Sequence, residues 1–256
     1  MIDFRWELQA GSRRDLYISG HIPGAAFVSL EDVTGHDGPG RHPLPSAETF
    51  GAAMRRAGVS HDSVVVTYDA SGGFSAARLW WLLGHFGHDQ VAVLDGGLPA
   101  WEGPIEVGEV AVSPGDFEPA LRGGGVVDRE RVAMRAGGEV LIDARVAERY
   151  RGEVEPIDAR AGHVPGALNL PWSENHEADL RFRSPAALRQ RYEELGVRAG
   201  RPAIVYCGSG VSACVDLLAL EVAGLGPGLL YEGSWGDWSA EPGLPMETGD
   251  DPLTQP

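Results

Sequence analysis

The chain repeats itself, and that repetition constrains its fold more than any compositional figure. Gly20-His21-Ile22-Pro23-Gly24-Ala25 returns as Gly162-His163-Val164-Pro165-Gly166-Ala167, 142 positions later. Val64-Val65-Val66-Thr67-Tyr68-Asp69 returns as Ala203-Ile204-Val205-Tyr206-Cys207, with Tyr68 on Tyr206 at an offset of 138. Leu94-Asp95-Gly96-Gly97 returns as Tyr231-Glu232-Gly233-Ser234 at an offset of 137. Matches in one order at nearly one offset predict two copies of one domain, because the period is far longer than the roughly 20–50 residues of a solenoid repeat.

Each copy follows the same order. A short apolar strand ends in Asp-x-Arg (Asp3 to Arg5, Asp143 to Arg145), and a turn-rich segment carries the Gly-His-Ile/Val-Pro-Gly-Ala motif. An amphipathic helix follows near 47–57 or 185–195, then a β-branched strand at 64–68 or 203–206. A Gly-rich turn leads into a helix at 75–86 or 211–223, and a last strand at 91–94 or 228–231 ends in Gly-Gly or Gly-Ser. Continuous apolar strands alternating with helices predict an α/β fold, each copy a parallel sheet with helices on both faces. The expected domains are 1–103 and 126–256, joined by a Pro- and Gly-containing linker at 104–125. The second copy has an additional segment, Val126 to Val140, expected to form a helix leading into its first strand. Either the first copy begins upstream of Met1 or it does without that element.

Charge and hydropathy exclude several partners. With Asp+Glu at 37 against Lys+Arg at 21, the net charge of −16 opposes a nonspecific hold on nucleic acid or anionic lipid. No apolar run reaches the roughly 18 residues of a membrane span, so no membrane is expected. The N-terminus lacks a basic region followed by an apolar one, so a cytoplasmic location is expected. The two cysteines, Cys207 and Cys214, lie seven positions apart. That spacing fits neither a redox C-x-x-C pair nor a zinc site, and no metal is expected.

Cys207 sits where a buried strand meets a helix, with Gly208, Ser209, Gly210, Val211 and Ser212 forming the turn. The glycines let the backbone curl until successive N–H groups converge into an anion nest, and the helix N-terminus adds its partial positive charge. A thiolate at the centre is stabilised by both. Cys214 falls inside the helix among apolar neighbours and reads as a small buried hydrophobe. A dinucleotide fingerprint, Gly208-x-Gly210-x-x-Ala213 with Glu232 downstream, fails because too little chain follows for the further βα units it needs. No cofactor is expected. A cysteine phosphatase needs an arginine six residues after the cysteine, where Ala213 stands. Sulfur transfer through a persulfide is the remaining chemistry.

The duplicated order, with the Gly-His-Ile/Val-Pro-Gly-Ala motifs, Tyr206-Cys207-Gly208-Ser209-Gly210-Val211-Ser212-Ala213 and Gly233-Ser234-Trp235, resembles the tandem-domain rhodanese family, the thiosulfate and 3-mercaptopyruvate sulfurtransferases. The resemblance implies two tandem rhodanese-like domains, the first non-catalytic and the second carrying the nucleophile; Asp69, at the position of Cys207, agrees. It implies a small-molecule sulfur donor and a thiol, thioredoxin-type protein or cyanide as acceptor. Cys207 is then the nucleophile, Ser209 a proton relay beside it, and the main chain from Gly208 to Ser212 the cradle of the persulfide. Neutral Gly208-Ser209 resembles the mercaptopyruvate enzymes, whereas thiosulfate enzymes tend to have basic residues there. Arg149 matches the arginine that holds the donor carboxylate. A second family arginine is replaced by Ile157, with Arg160 three residues on as the candidate substitute. Glu31 and His42 match the acid and histidine contributed by the first domain. The donor is expected to be mercaptopyruvate, with thiosulfate as the alternative, and a non-catalytic binding or sensor role is the reading from another class.

The remaining polar and aromatic features have simpler readings. His21 and His163, like Asp143 and Arg145, recur in both copies while only one copy has the thiol, so they are expected to support the fold. Trp80 and Trp81 read as core. Trp235 either walls the pocket or packs beneath it.

Overall fold

A computed structural model describes residues 1–250 of the chain. The chain divides into two compact units. One comprises Met1–His36, Leu44–Gly123 and His176–Phe182; the other comprises Asp37–Pro43, Gly124–Asn175 and the described residues from Arg183 on, as far as 250. Two short arms are therefore exchanged, and they are equivalent: 37–43 and 176–182 correspond at an offset of 139. The duplication thus extends to which piece of each copy is lent away.

The first unit contains β1 (Ile2–Asp3), a hairpin of β2 (Trp6–Glu7) and β3 (Gly11–Ser12), and α1 (Arg14–Ser19). It continues with β4 (Ala26–Phe27), α2 (Ala47–Arg56), β5 (Val65–Tyr68), α3 (Ala76–His85) and β6 (Val91–Val93). Its sheet runs β4-β1-β5-β6 with every pairing parallel, Ile2 lying opposite both Ala26 and Thr67. Ser46 caps α2 by accepting from Thr49 N at 3.1 Å, and Arg55 and Arg56 occupy its last turn, where the helix dipole favours cations.

The second unit contains β7 (Val126–Val127), α4 (Arg129–Ala133), β8 (Leu141–Asp143), α5 (Ala147–Tyr150) and β9 (Leu168–Asn169). It continues with α6 (Pro185–Glu194), β10 (Ile204–Tyr206), α7 (Ala213–Val222), β11 (Leu229–Tyr231) and α8 (Ser234–Ala240). Its sheet runs β7-β11-β10-β8-β9, again all parallel. Four strands repeat the first sheet in the same order, and β7 is added at the edge. The segment expected to supply only a helix before β8 thus supplies an edge strand as well, with a five-residue helix started by Asp128, whose carboxylate accepts from Arg131 N at 2.7 Å. Every residue of β8 and β10 is buried, so neither strand shows the polar alternation of a one-sided sheet.

The segment 104–125, expected to be a linker, is packed against the first unit as far as Gly123. Glu106 bridges to His21, Val110 N donates to the Tyr17 hydroxyl, and Phe117 is buried edge-on to Phe50. Glu106 also has a counterpart in the second unit, Glu247, which bridges to His163. In each case the carboxylate accepts the N–H of the motif's second glycine, Gly24 at 2.7 Å or Gly166 at 2.8 Å.

These pairs explain why the repeated motif is retained in both copies. His21 and His163 each place Nδ1 on a main-chain carbonyl, of Tyr17 or Tyr150, and stack on that same tyrosine ring. The N–H of Ile22 or Val164 donates to the hydroxyl of Tyr68 or Tyr206, both at 3.1 Å. Arg5 and Arg145 each form a buried fork on Asp3 or Asp143 and reach on to the carbonyl of Gly20 or Gly162. The expected structural role of these residues agrees with that geometry. Trp80 and Trp81 depart from the reading as core: both are half-buried on α3, where Trp81 stacks on His85 and lies under the Arg78 guanidinium.

Candidate active site

The loop after β10 turns at Gly210, whose φ of +76° lies in the left-handed region that glycine enters without steric strain. Cys207 is 2% exposed and its thiol is free. Its main chain is clamped to the start of α8. Cys207 N donates to Ser234 Oγ at 3.2 Å, Cys207 O accepts from Trp235 N at 2.9 Å, and Gly208 O accepts from Gly236 N at 3.0 Å. Ser234 has a φ of +55°, an unfavourable conformation for a residue with a side chain. Its hydroxyl is thereby held where it also donates to Tyr231 O. Cys214 is fully buried in α7 with Sγ 3.4 Å from Gly210 O, as expected for a bystander thiol.

The exchanged arm 37–43 brings the first copy's contribution into this unit. His42 Nδ1 lies 2.9 Å from Ser209 Oγ, which joins two residues expected at the site. Arg41, which the sequence reading passed over, places Nη1 on Asp158 and Nη2 beside Gly208. A Cβ on Gly208 would lie 2.8 Å from that Nη2, and 3.5 and 3.7 Å from Nη1 and Nη2 of Arg149. Burial pushes the Arg41 guanidinium below its ordinary pKa, and the neighbouring Cys207 works in the opposite direction. Arg149 is steadied by Glu155 Oε1 at 2.6 Å and Asp158 Oδ2 at 2.8 Å, both carboxylates almost fully buried. Glu155 also accepts from Arg145, whose guanidinium lies 4.8 Å from the Trp235 ring centre. Trp235 is fully buried and donates to Arg160 O at 2.9 Å, so it packs beneath the site.

One expected residue is engaged elsewhere. Arg160 donates to the carbonyls of Ser239, Leu244, Trp238 and Glu241 at 2.8 to 3.1 Å, closing the C-terminal end of α8. A guanidinium so engaged is a structural cap, which corrects its assignment to the donor. Glu31 belongs to the first unit, is exposed, and accepts the Ser12 hydroxyl. Among the described residues no cluster of His, Cys, Asp or Glu could hold a metal ion, and no helix is long and apolar enough to cross a membrane.

The first unit carries the corresponding loop one residue longer, with Asp69 in place of the cysteine. Its carboxylate accepts from Ser71 N, Gly73 N, Ser75 N and Ala76 N at 2.8 to 3.0 Å, and from Ser75 Oγ at 3.2 Å. Loop N–H groups of this kind therefore do converge on an anion at the side chain's end.

Comparison with known proteins agrees with this organisation. The rhodanese-like domain pattern matches residues 1–104 and 129–241. The chain is 43% identical over 258 residues to SseB of Mycobacterium tuberculosis, provisionally named a thiosulfate sulfurtransferase, covering 97% of this chain and 90% of that protein. It is 41% identical over 239 residues to the 3-mercaptopyruvate sulfurtransferase of Escherichia coli K12, covering 90% and 84%. The crystal structure of SseA from Escherichia coli, described as a 3-mercaptopyruvate sulfotransferase with the rhodanese fold, superposes with a TM-score of 0.81 at 38% identity, covering 91% of each chain. The protein belongs to the rhodanese family, as a tandem-domain sulfurtransferase.

Proposed function

We propose that the chain moves the thiol sulfur of 3-mercaptopyruvate to a thiol, a thioredoxin-type protein or cyanide, carrying it as the outer, sulfane sulfur of a persulfide on Cys207. The observation that carries the reading is the convergence on one loop of the cysteine, the Ser209–His42 hydrogen bond, and two guanidinia beside Gly208. The Cys207 thiolate attacks the donor sulfur, and an S–S bond forms as the C–S bond breaks. The electron pair of that bond passes to the methylene carbon, giving the enolate of pyruvate. The proton leaving the donor thiol reaches that carbon through Ser209 and His42, which balances the step. Arg149 takes the donor carboxylate. The main-chain N–H groups from Gly208 to Ser212 hold the persulfide, as the sister loop holds the Asp69 carboxylate. An acceptor thiolate then takes the outer sulfur, and the bonding pair returns to Cys207. Two cysteines outside any disulfide fit a reducing, cytoplasmic setting.

Thiosulfate is the second reading for the donor, favoured by the name of the Mycobacterium tuberculosis relative. One preparation assayed for thiocyanate with each donor and cyanide separates the possibilities. A higher kcat/KM with mercaptopyruvate is expected. A preference for thiosulfate overturns the donor assignment, and no thiocyanate from either donor overturns catalysis in favour of a binding module.

A further inference from the structure

The donor-binding arginines expected from the sequence do not make a pair, because Ile157 stands at one position and Arg160 is engaged by four carbonyls. The loop itself has no basic side chain from Gly208 to Ser212. Positive charge nevertheless reaches the cysteine from outside the loop. Arg41 arrives on the exchanged arm 37–43, and its two terminal nitrogens have separate neighbours: Nη1 is on Asp158, and Nη2 is the atom closest to the missing side chain of Gly208. Arg149 shares Asp158 and lies over the same glycine. Asp158, 2% exposed in its side chain, therefore holds two guanidinia side by side against their mutual repulsion. Any residue but glycine at 208 would push Arg41 away, so the neutral loop and the external arginine go together.

Resting on the sulfurtransferase reading, we infer that Arg41 and Arg149 form the anion clamp for the donor, with Arg41 setting how well thiosulfate competes with mercaptopyruvate. The clamp offers Nη2 of Arg41 and Nη1 of Arg149, both beside Gly208, to a carboxylate or a sulfonate end. A dianion such as thiosulfate depends on the second guanidinium more than a singly charged 2-oxo acid does. The chain then obtains from Arg41 the charge that other members place in the loop.

Alkylation of Cys207 tests the clamp without any turnover, followed by peptide mass spectrometry on the whole chain. In the wild-type protein the anionic reagent iodoacetate reacts faster, relative to neutral iodoacetamide, than it does with a simple thiol. Arg41→Ala lowers that ratio about tenfold, as expected for losing one charged hydrogen-bonding partner, and Arg41→Lys restores part of it. A merely structural Arg41 would change both rates together, and an unchanged ratio overturns the inference. In turnover assays Arg41→Ala lowers kcat/KM for thiosulfate more than for mercaptopyruvate, whereas an equal fall contradicts the specificity role. If neither donor is turned over by the wild-type protein but the ratio still responds to Arg41, the sulfurtransferase reading fails and the anion clamp stands.

Discussion

The loops after Tyr68 and Tyr206 occupy the same place in two copies of one sheet, and they differ in what fills the centre. In the first, a carboxylate attached to the loop gathers four main-chain N–H groups and a hydroxyl, and the loop is one residue longer. In the second, the side chain is a thiol, and an arm from the other copy brings Arg41 and His42 to the loop. The first loop also receives an arm, 176–182, but this one places the Leu180 carbonyl 3.0 Å from the Cβ position of Gly72 and donates Phe182 N to Asp95. The scaffold and the exchange are shared, whereas the groups at the arm's tip are not. On the proposed function, a nest of N–H groups does not by itself support sulfur transfer, and the groups at the arm's tip are needed beside the thiol.

The hardest test of this contrast is to move the nucleophile. In the double variant Asp69→Cys/Cys207→Ser, the first loop has its thiol but none of the Arg41, His42 and Ser209 arrangement. Turnover is expected to fall by about four orders of magnitude or more, as for loss of a nucleophile. Recovery of even a hundredth of wild-type thiocyanate formation would show that the nest alone suffices.

A smaller effect concerns stability. Asp69 is 2% exposed, and Asp69→Ala leaves several buried N–H groups without their acceptor. The first unit is expected to lose about 2–4 kcal/mol, from unsatisfied buried donors, seen as a lower denaturant midpoint. The second unit's persulfide formation is expected to continue. An unchanged midpoint would mean that the carboxylate does not organise the loop.

The smallest effect compares the helices after the loops. Leu79 of α3 corresponds to Asp216 of α7, and both are fully buried. Burial pushes the Asp216 carboxyl up to about 7, its Oδ1 accepting from Asn175 Nδ2 at 3.0 Å and Tyr192 Oη at 2.9 Å. Because the folded pKa lies above the unfolded one, this group's contribution is full below about pH 4 and declines as pH rises to about 7. Asp216→Asn, which keeps a neutral group of the same shape, is expected to stabilise the second unit by about 1–3 kcal/mol at pH 8 and little at pH 4. Equal melting shifts at the two values would contradict that titration.

Much of this was legible in the sequence because it is local. Strand, turn and helix follow one another directly in each copy, and the strand-Tyr-Cys-Gly-Ser-Gly run declares its own geometry. The remainder depends on contacts between distant segments, which leave no periodicity. Arg41 stands beside His42 in Gly40-Arg41-His42-Pro43, yet its value depends on Asp158, 117 positions away. Glu106 and Glu247 are single residues in dissimilar surroundings, so their equivalence emerged only from their matching bonds to His21 and His163. Arg160 was misplaced because proximity in sequence to Ile157 says nothing of the end of α8, which lies 78 to 84 positions further on.

The most direct measurement locates the sulfur. After incubation of the purified chain with 3-mercaptopyruvate, fragmentation without reductant is expected to show one added sulfur, about 32 Da, on Cys207 and none on Cys214. Absence of the adduct with either mercaptopyruvate or thiosulfate, or its appearance on Cys214 instead, would contradict a single working thiol in the second loop.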